Sequence, residues 1–236
     1  MSRPRLAGAR SALPVALLAS GAAVLSGCGA SASSTTASGG AHASAAGSST
    51  AAATGYVLTT PSSISGWKLT APSSSTTQKL QQGLSQAEQA VGGLSGTPVT
   101  GLYDDATDQT WVVFVGLEGS FNPAQLAKAA ETAPVSTTDA LGDRLTTSWV
   151  TNVATGPHGG EVACQQTVEV QAGLSTYAAT GLAAEGTACF WMTSSTFGVV
   201  SMQPQANRND WDFGWNGRQM DGYMVKVRTA VEQSAS

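Results

Sequence analysis

The strongest alternation of apolar and polar positions lies between Glu161 and Met202. Within Glu161–Val170, Val162, Cys164, Gln166, Val168 and Val170 fall on one face of a strand and Ala163, Gln165, Thr167 and Glu169 on the other. Thr187–Met192 and Phe197–Met202, separated by Thr193-Ser-Ser-Thr196, predict a β-hairpin with Cys189 on the face of Trp191. A Cys164–Cys189 disulfide would tie the first strand to this hairpin. The intervening Ala172–Glu185 is small and polar and predicts an exposed connection. Trp111–Leu117 is apolar without a break, which predicts a strand buried on both faces near the sheet centre. Leu145–Val153, carrying Trp149, predicts another strand. Tyr56–Pro61 and Gly66–Leu69 predict the first strand of the domain with a Pro/Ser/Gly turn, and Thr97–Tyr103 leads into an Asp/Thr turn.

Three segments show helical spacing instead. Leu80, Leu84, Ala87 and Val91 predict a helix over 78–91, with hydroxyls of Ser73–Thr77 to cap it and Gly92-Gly93 to end it. Asn122-Pro123 opens a second helix with Leu126, Ala129 and Ala133 on its apolar stripe. Met220, Met224, Val227 and Val231 predict a third over 216–233, with Lys226 and Arg228 in its later turns, where the helix dipole favours cations. The expected fold is α+β: a mostly antiparallel sheet of five to seven strands, packed with about three helices and stapled by one disulfide.

The N-terminus has a different character. Arg3, Arg5 and Arg10 precede a short apolar run, Ala12–Leu25, which is too short to span a bilayer and reads as a signal peptide over 1–27. Its ending, Leu25-Ser26-Gly27-Cys28, resembles the lipobox of bacterial lipoproteins. That resemblance implies that Cys28 is diacylated and becomes the mature N-terminus, anchored to the outer face of the cell membrane. Residues 28–55 are almost all Ala, Ser, Thr and Gly, which predicts a flexible tether ahead of a single domain over 56–236.

Charge narrows the partners. The chain has 11 basic and 15 acidic residues, net −4. Without the three leader arginines the balance falls near −7, and no basic cluster remains, which argues against nucleic acid. With Cys28 lipidated, the three cysteines divide into one anchor and one bridged pair, as suits an oxidising exterior.

Candidate chemistry is sparse. His158, in Thr155-Gly-Pro-His-Gly-Gly160, is the one histidine outside the tether and the one candidate general base. Ser65-Gly-Trp-Lys68 matches a Ser-x-x-Lys pattern but sits in a turn, with no Lys-Thr-Gly to complete it. Asp104-Asp105-Ala-Thr-Asp108 lacks the glycine and distal glutamate of a calcium loop, and Asp210-Trp-Asp212 alone is a weak metal signal. No metal or cofactor is expected. Trp211, Phe213 and Trp215 alternate in a polar stretch and form either a stacking platform for a small ligand or a cover over one end of the core.

Several segments together resemble a family of actinobacterial exported lipoproteins and membrane-anchored proteins. They are Tyr56–Pro61, Trp111–Gly116, Phe121-Asn-Pro123, Gly159–Gln165 and Ala188–Val199. Similar relatives carry an acidic residue where this chain has Thr193, so a site relying on that carboxylate is not implied here. The α+β order is also similar to the Mog1/PsbP type of sandwich. The resemblance implies no particular activity. The expectation is a non-catalytic envelope protein that binds a small ligand or an envelope protein. A hydrolase using His158 and a purely structural envelope component are the alternatives.

Overall fold

The computed structural model describes residues 55–138, 140, 142–170, 183–205 and 215–235. The leader, Cys28, the tether up to residue 54, and both Trp211 and Phe213 lie outside the described residues.

The strands are β1 (Tyr56–Leu58), β2 (Ser63–Ile64), β3 (Trp67–Leu69), β4 (Gly96–Asp105), β5 (Thr110–Gly119), β6 (Val135–Thr138), β7 (Arg144–Val150), β8 (Glu161–Val170), β9 (Ala183–Met192), β10 (Thr196–Pro204) and β11 (Glu232–Ser234). The helices are α1 (Ser74–Val91), α2 (Ala124–Ala130) and α3 (Gly217–Val231). Nine strands make one antiparallel sheet in the order β2-β3-β4-β5-β10-β9-β8-β7-β6, while β1 pairs with β11 in a separate two-stranded ladder. Two meanders, β2–β5 and β6–β10, are therefore joined where β5 meets β10. The sheet exceeds the expected five to seven strands because β2, β3 and β6 are two to four residues long. β2 and β6 carry no readable period and take their strand geometry from a neighbour, while β3, read with Tyr56–Pro61 as one first strand, lies in a different sheet from β1.

Pleating divides the sheet into two buried faces. Leu102, Val113, Val115, Phe190 and Val199 meet Leu80, Ala87 and Val91 of α1 and Leu126 and Ala130 of α2. On the other face Tyr103, Val112, Phe114, Cys164, Trp191 and Val200 meet Met220, Met224, Val227 and Val231 of α3. The helix stripes expected from the sequence are the surfaces that bury, except at Ala133, which is exposed because α2 ends at Ala130; the result is a three-layer sandwich with the sheet in the middle. The apolar run in β5 follows from this position: its alternate residues are buried on opposite faces.

Cys164 and Cys189 are direct cross-strand partners of β8 and β9, bonded through a disulfide with Cα atoms 4.0 Å apart and no exposure. A loop spanning 25 residues contributes about 3.5 kcal/mol in the chain-entropy account. Trp191, fully buried, stacks on Phe114 at 5.7 Å between centroids. It lies across Gly198, its register partner in β10; a Cβ there would sit 2.2 Å from the indole ring. Only glycine admits the ring.

Caps fix the helix starts. Ser73 accepts from the Thr76 amide at 3.2 Å, so α1 begins at Ser74, four residues before the predicted start. Asn216 accepts from the amides of Arg218 and Gln219, and the Gln219 side chain accepts from the Asn216 amide at 3.0 Å. This capping box stabilises α3 by about 1 kcal/mol. The predicted end of α3 is corrected: the helix stops at Val231, and residues 232–234 become a strand because Tyr56–Leu58 offers them backbone partners. Ala183–Glu185, read as part of an exposed connection, belongs to β9; residues 172–182 lie outside the described residues.

Candidate functional site

The densest polar arrangement lies at the end of the sheet that carries the Thr193–Ser195 turn. Sequence reading passes over its central residue. Arg228 looks like a surface cation answering the helix dipole, yet it is fully buried. Its Nε donates to Glu232 Oε2 at 2.7 Å, Nη2 donates to the Gly159 carbonyl at 2.6 Å, and Nη1 donates to the Thr155 carbonyl. Glu232 is also sealed, and its Oε1 accepts from Thr196 Oγ1. The guanidinium carbon stands 5.9 Å from the Trp191 ring centroid. A signal was present in the sequence: Met224, Arg228 and Val231 recur at helical spacing, so Arg228 shares the buried stripe, with a carboxylate one turn further on.

The β9–β10 turn completes the cluster. Thr193 Oγ1 accepts from the amides of Ser195 and Thr196 at 3.2 and 2.9 Å and lies 2.8 Å from Thr196 Oγ1. Glu232, at the start of β11, supplies the carboxylate hydrogen-bonded to this turn. Ser195 Oγ accepts from the Tyr56 amide at 2.7 Å and donates to the Tyr56 carbonyl at 3.0 Å, while Leu58 N donates to Glu118 Oε1 at 2.6 Å. The first strand of the domain is thereby fastened to the turn and to the end of β5.

His158 enters this region through its ring alone. It tilts against Tyr56 with centroids 4.5 Å apart. Among the described residues no serine, aspartate or glutamate side chain is hydrogen-bonded to it, so the nucleophile–base geometry of a hydrolase is not assembled around it. Trp215 belongs to another neighbourhood. It is half-buried, its carbonyl accepts from Thr187 Oγ1, and its ring meets Tyr223 edge-on at 6.1 Å. Tyr223 stacks on Trp67 at 5.5 Å, with Lys226 Nζ 5.4 and 5.6 Å from the two ring centroids. Trp215 therefore covers the edge of the core, and its two proposed platform partners, Trp211 and Phe213, lie outside the described residues.

The remaining candidates resolve into local structure. Ser65 and Gly66, at φ 50° and 94°, form the tight turn joining β2 to β3. Asp105 Oδ1 accepts from the amides of Thr107 and Asp108, Asp104 accepts from Gln205, and Asp108 accepts from Tyr223. The turn's carboxylates serve the fold. Among the described residues no group of three or more His, Cys, Asp or Glu side chains is gathered to hold a metal ion. No helix among them is long and apolar enough to cross a membrane. A groove of about 300 Å³ opens at the β3–β4 edge beside the start of α1, lined by Leu69, Pro72, Leu80, Thr100 and Leu102 among others. Comparison of the chain with protein-family models, with curated protein sequences and with solved structures finds no match.

Proposed function

We propose that this chain is an extracytoplasmic lipoprotein of the actinobacterial exported type, held to the cell membrane through diacylated Cys28, whose domain binds a ligand or envelope partner without chemistry of its own. The observation that carries this reading is the fully buried Cys164–Cys189 bridge between directly opposed residues of neighbouring strands. A core built around a disulfide suits a protein that folds outside the reducing cytoplasm, which agrees with the lipobox at Leu25–Cys28. The non-catalytic part draws on the fate of the acid and base groups. Glu232 spends both oxygens on Arg228 and Thr196, and His158 spends its ring on Tyr56.

Fractionation of cells expressing the full chain tests the anchor. The wild type is expected in the membrane fraction, and Cys28→Ala in the soluble extracytoplasmic fraction. A Cys28→Ala protein that stays with the membrane overturns the anchor. Hydrolysis of a chromogenic ester by the purified protein, abolished by His158→Ala, overturns the non-catalytic part.

A further inference from the structure

We propose that the loop over residues 154–160 is a lid whose own main chain occupies an oxyanion-binding site on Arg228. The proposal rests on the binding reading above and deepens it by naming a ligand class.

The terminal nitrogens of a guanidinium form a fork that matches the two oxygens of a carboxylate or phosphate. In this chain that fork is filled by two peptide carbonyls, those of Thr155 and Gly159, four residues apart in one loop. They take up the two terminal nitrogens that an anion would engage. Both are neutral acceptors, and a charged acceptor makes a hydrogen bond roughly twice as strong, so an oxyanion that reaches the fork displaces them.

The fork keeps its aim when the loop leaves. Nε is pinned to Glu232 at 2.7 Å, Glu232 is pinned to Thr196, and Trp191 lies beneath the guanidinium. None of these partners belongs to the loop. Trp191 Nε1 is itself buried without a hydrogen-bond partner among the described residues.

The loop is built to move. It contains no helix or strand, and Ala154, Thr155, Pro157, Gly159 and Gly160 are exposed. Gly156, Gly159 and Gly160 hold φ of 76°, 64° and 78°, in the left-handed region that glycine enters freely. A Cβ on Gly160 would lie 2.3 Å from the Met192 carbonyl, which marks a fixed hinge, whereas one on Gly159 would meet nothing within 4 Å. Besides Arg228, the loop is held by the His158–Tyr56 ring contact and by the Ala154 amide on Asp221 at 2.9 Å.

Hydrogen exchange followed by mass spectrometry on the whole exported protein tests this, with sodium phosphate, sodium acetate and sodium chloride compared at equal ionic strength. An anion that binds only the open lid raises the open population by one plus the ratio of its concentration to Kd, about elevenfold at ten times Kd. Amides of 154–160 are therefore expected to exchange faster in phosphate or acetate than in chloride, with β8 and β9 unchanged. Acceleration by phosphate alone assigns a phosphoryl ligand, and acceleration by acetate alone a carboxylate. Equal exchange in all three salts, or exchange of the loop only together with the core strands, overturns the proposal on the wild-type protein. Arg228→Lys, which keeps the charge and removes the fork, is expected to abolish the oxyanion dependence; a variant that keeps it also overturns the proposal. Membrane fractionation reads the Cys28 anchor separately, so failure of the lid leaves that result untouched.

Discussion

Arg228 Nε and Glu232 Oε2 stand 2.7 Å apart, one helical turn apart in sequence, and neither side chain reaches solvent. Such a pair contributes little net stability compared with apolar residues of similar size, yet breaking it strands a buried charge. Arg228→Met alone is expected to cost about 3–5 kcal/mol, and Glu232→Leu alone a similar amount. The double variant should recover most of that loss. Urea titrations of the four proteins measure the coupling; additive single effects would show that the pair does not act as a unit.

The disulfide predicts a chemical outcome. Native protein purified without reductant should give no thiol reaction at Cys164 or Cys189, and a paired Cys164→Ala, Cys189→Ala variant should lose about 2–4 kcal/mol. Two titratable thiols in the unreduced protein would contradict the bridge.

Gly198 gives a packing test. A methyl group there would meet the Trp191 ring at 2.2 Å, and the ring is buried against Phe114 on the same face. Gly198→Ala is expected to destabilise by about 1–3 kcal/mol through overpacking, read as a fall in Tm. Gly83→Ala, in the middle of α1 with no atom within 4 Å of the added carbon, should instead stabilise by about 0.5–1 kcal/mol.

Tyr103 supplies a pH dependence. Its ring is fully buried, its hydroxyl lacks a hydrogen-bond partner among the described residues, and burial pushes its pKa up to about 12 from 10.0. The unfolded chain then loses this proton at lower pH than the folded one. The stability tied to the neutral phenol is complete below pH 10 and is lost between about pH 10 and 12, on the order of 2–3 kcal/mol. Tyr103→Phe should flatten that part of the stability–pH curve. At neutral pH it should cost little or stabilise, since it removes a buried hydroxyl with no partner among the described residues. Chemical denaturation across pH 8–12 is the measurement.

Much of the frame was legible wherever a regular period met a burial pattern. The Met220, Met224, Val227, Val231 stripe buries as spaced, and Cys189 and Trp191 share a face as the alternation requires. Arg228 was misread because a cation near a helix C-terminus has a sufficient surface explanation. Its burial depends on the 155–159 carbonyls and on Glu232, which are contacts that local pattern does not encode. Residues 232 and 233 read as helix because their strand partner lies at Tyr56–Leu58, at the other end of the domain.

The sequence by itself determined the pairing of Cys164 with Cys189, the three helices and the strands long enough to show a period of two. Burial and covalent chemistry act on side chains whose order is already written in the chain. Tertiary structure alone decided which end of the sheet gathers the polar side chains, and that Arg228, Glu232, Thr196 and two loop carbonyls meet there. Those groups come from segments far apart in sequence. Their hydrogen bonds form only after the sheet and α3 have excluded water, and no local propensity records them.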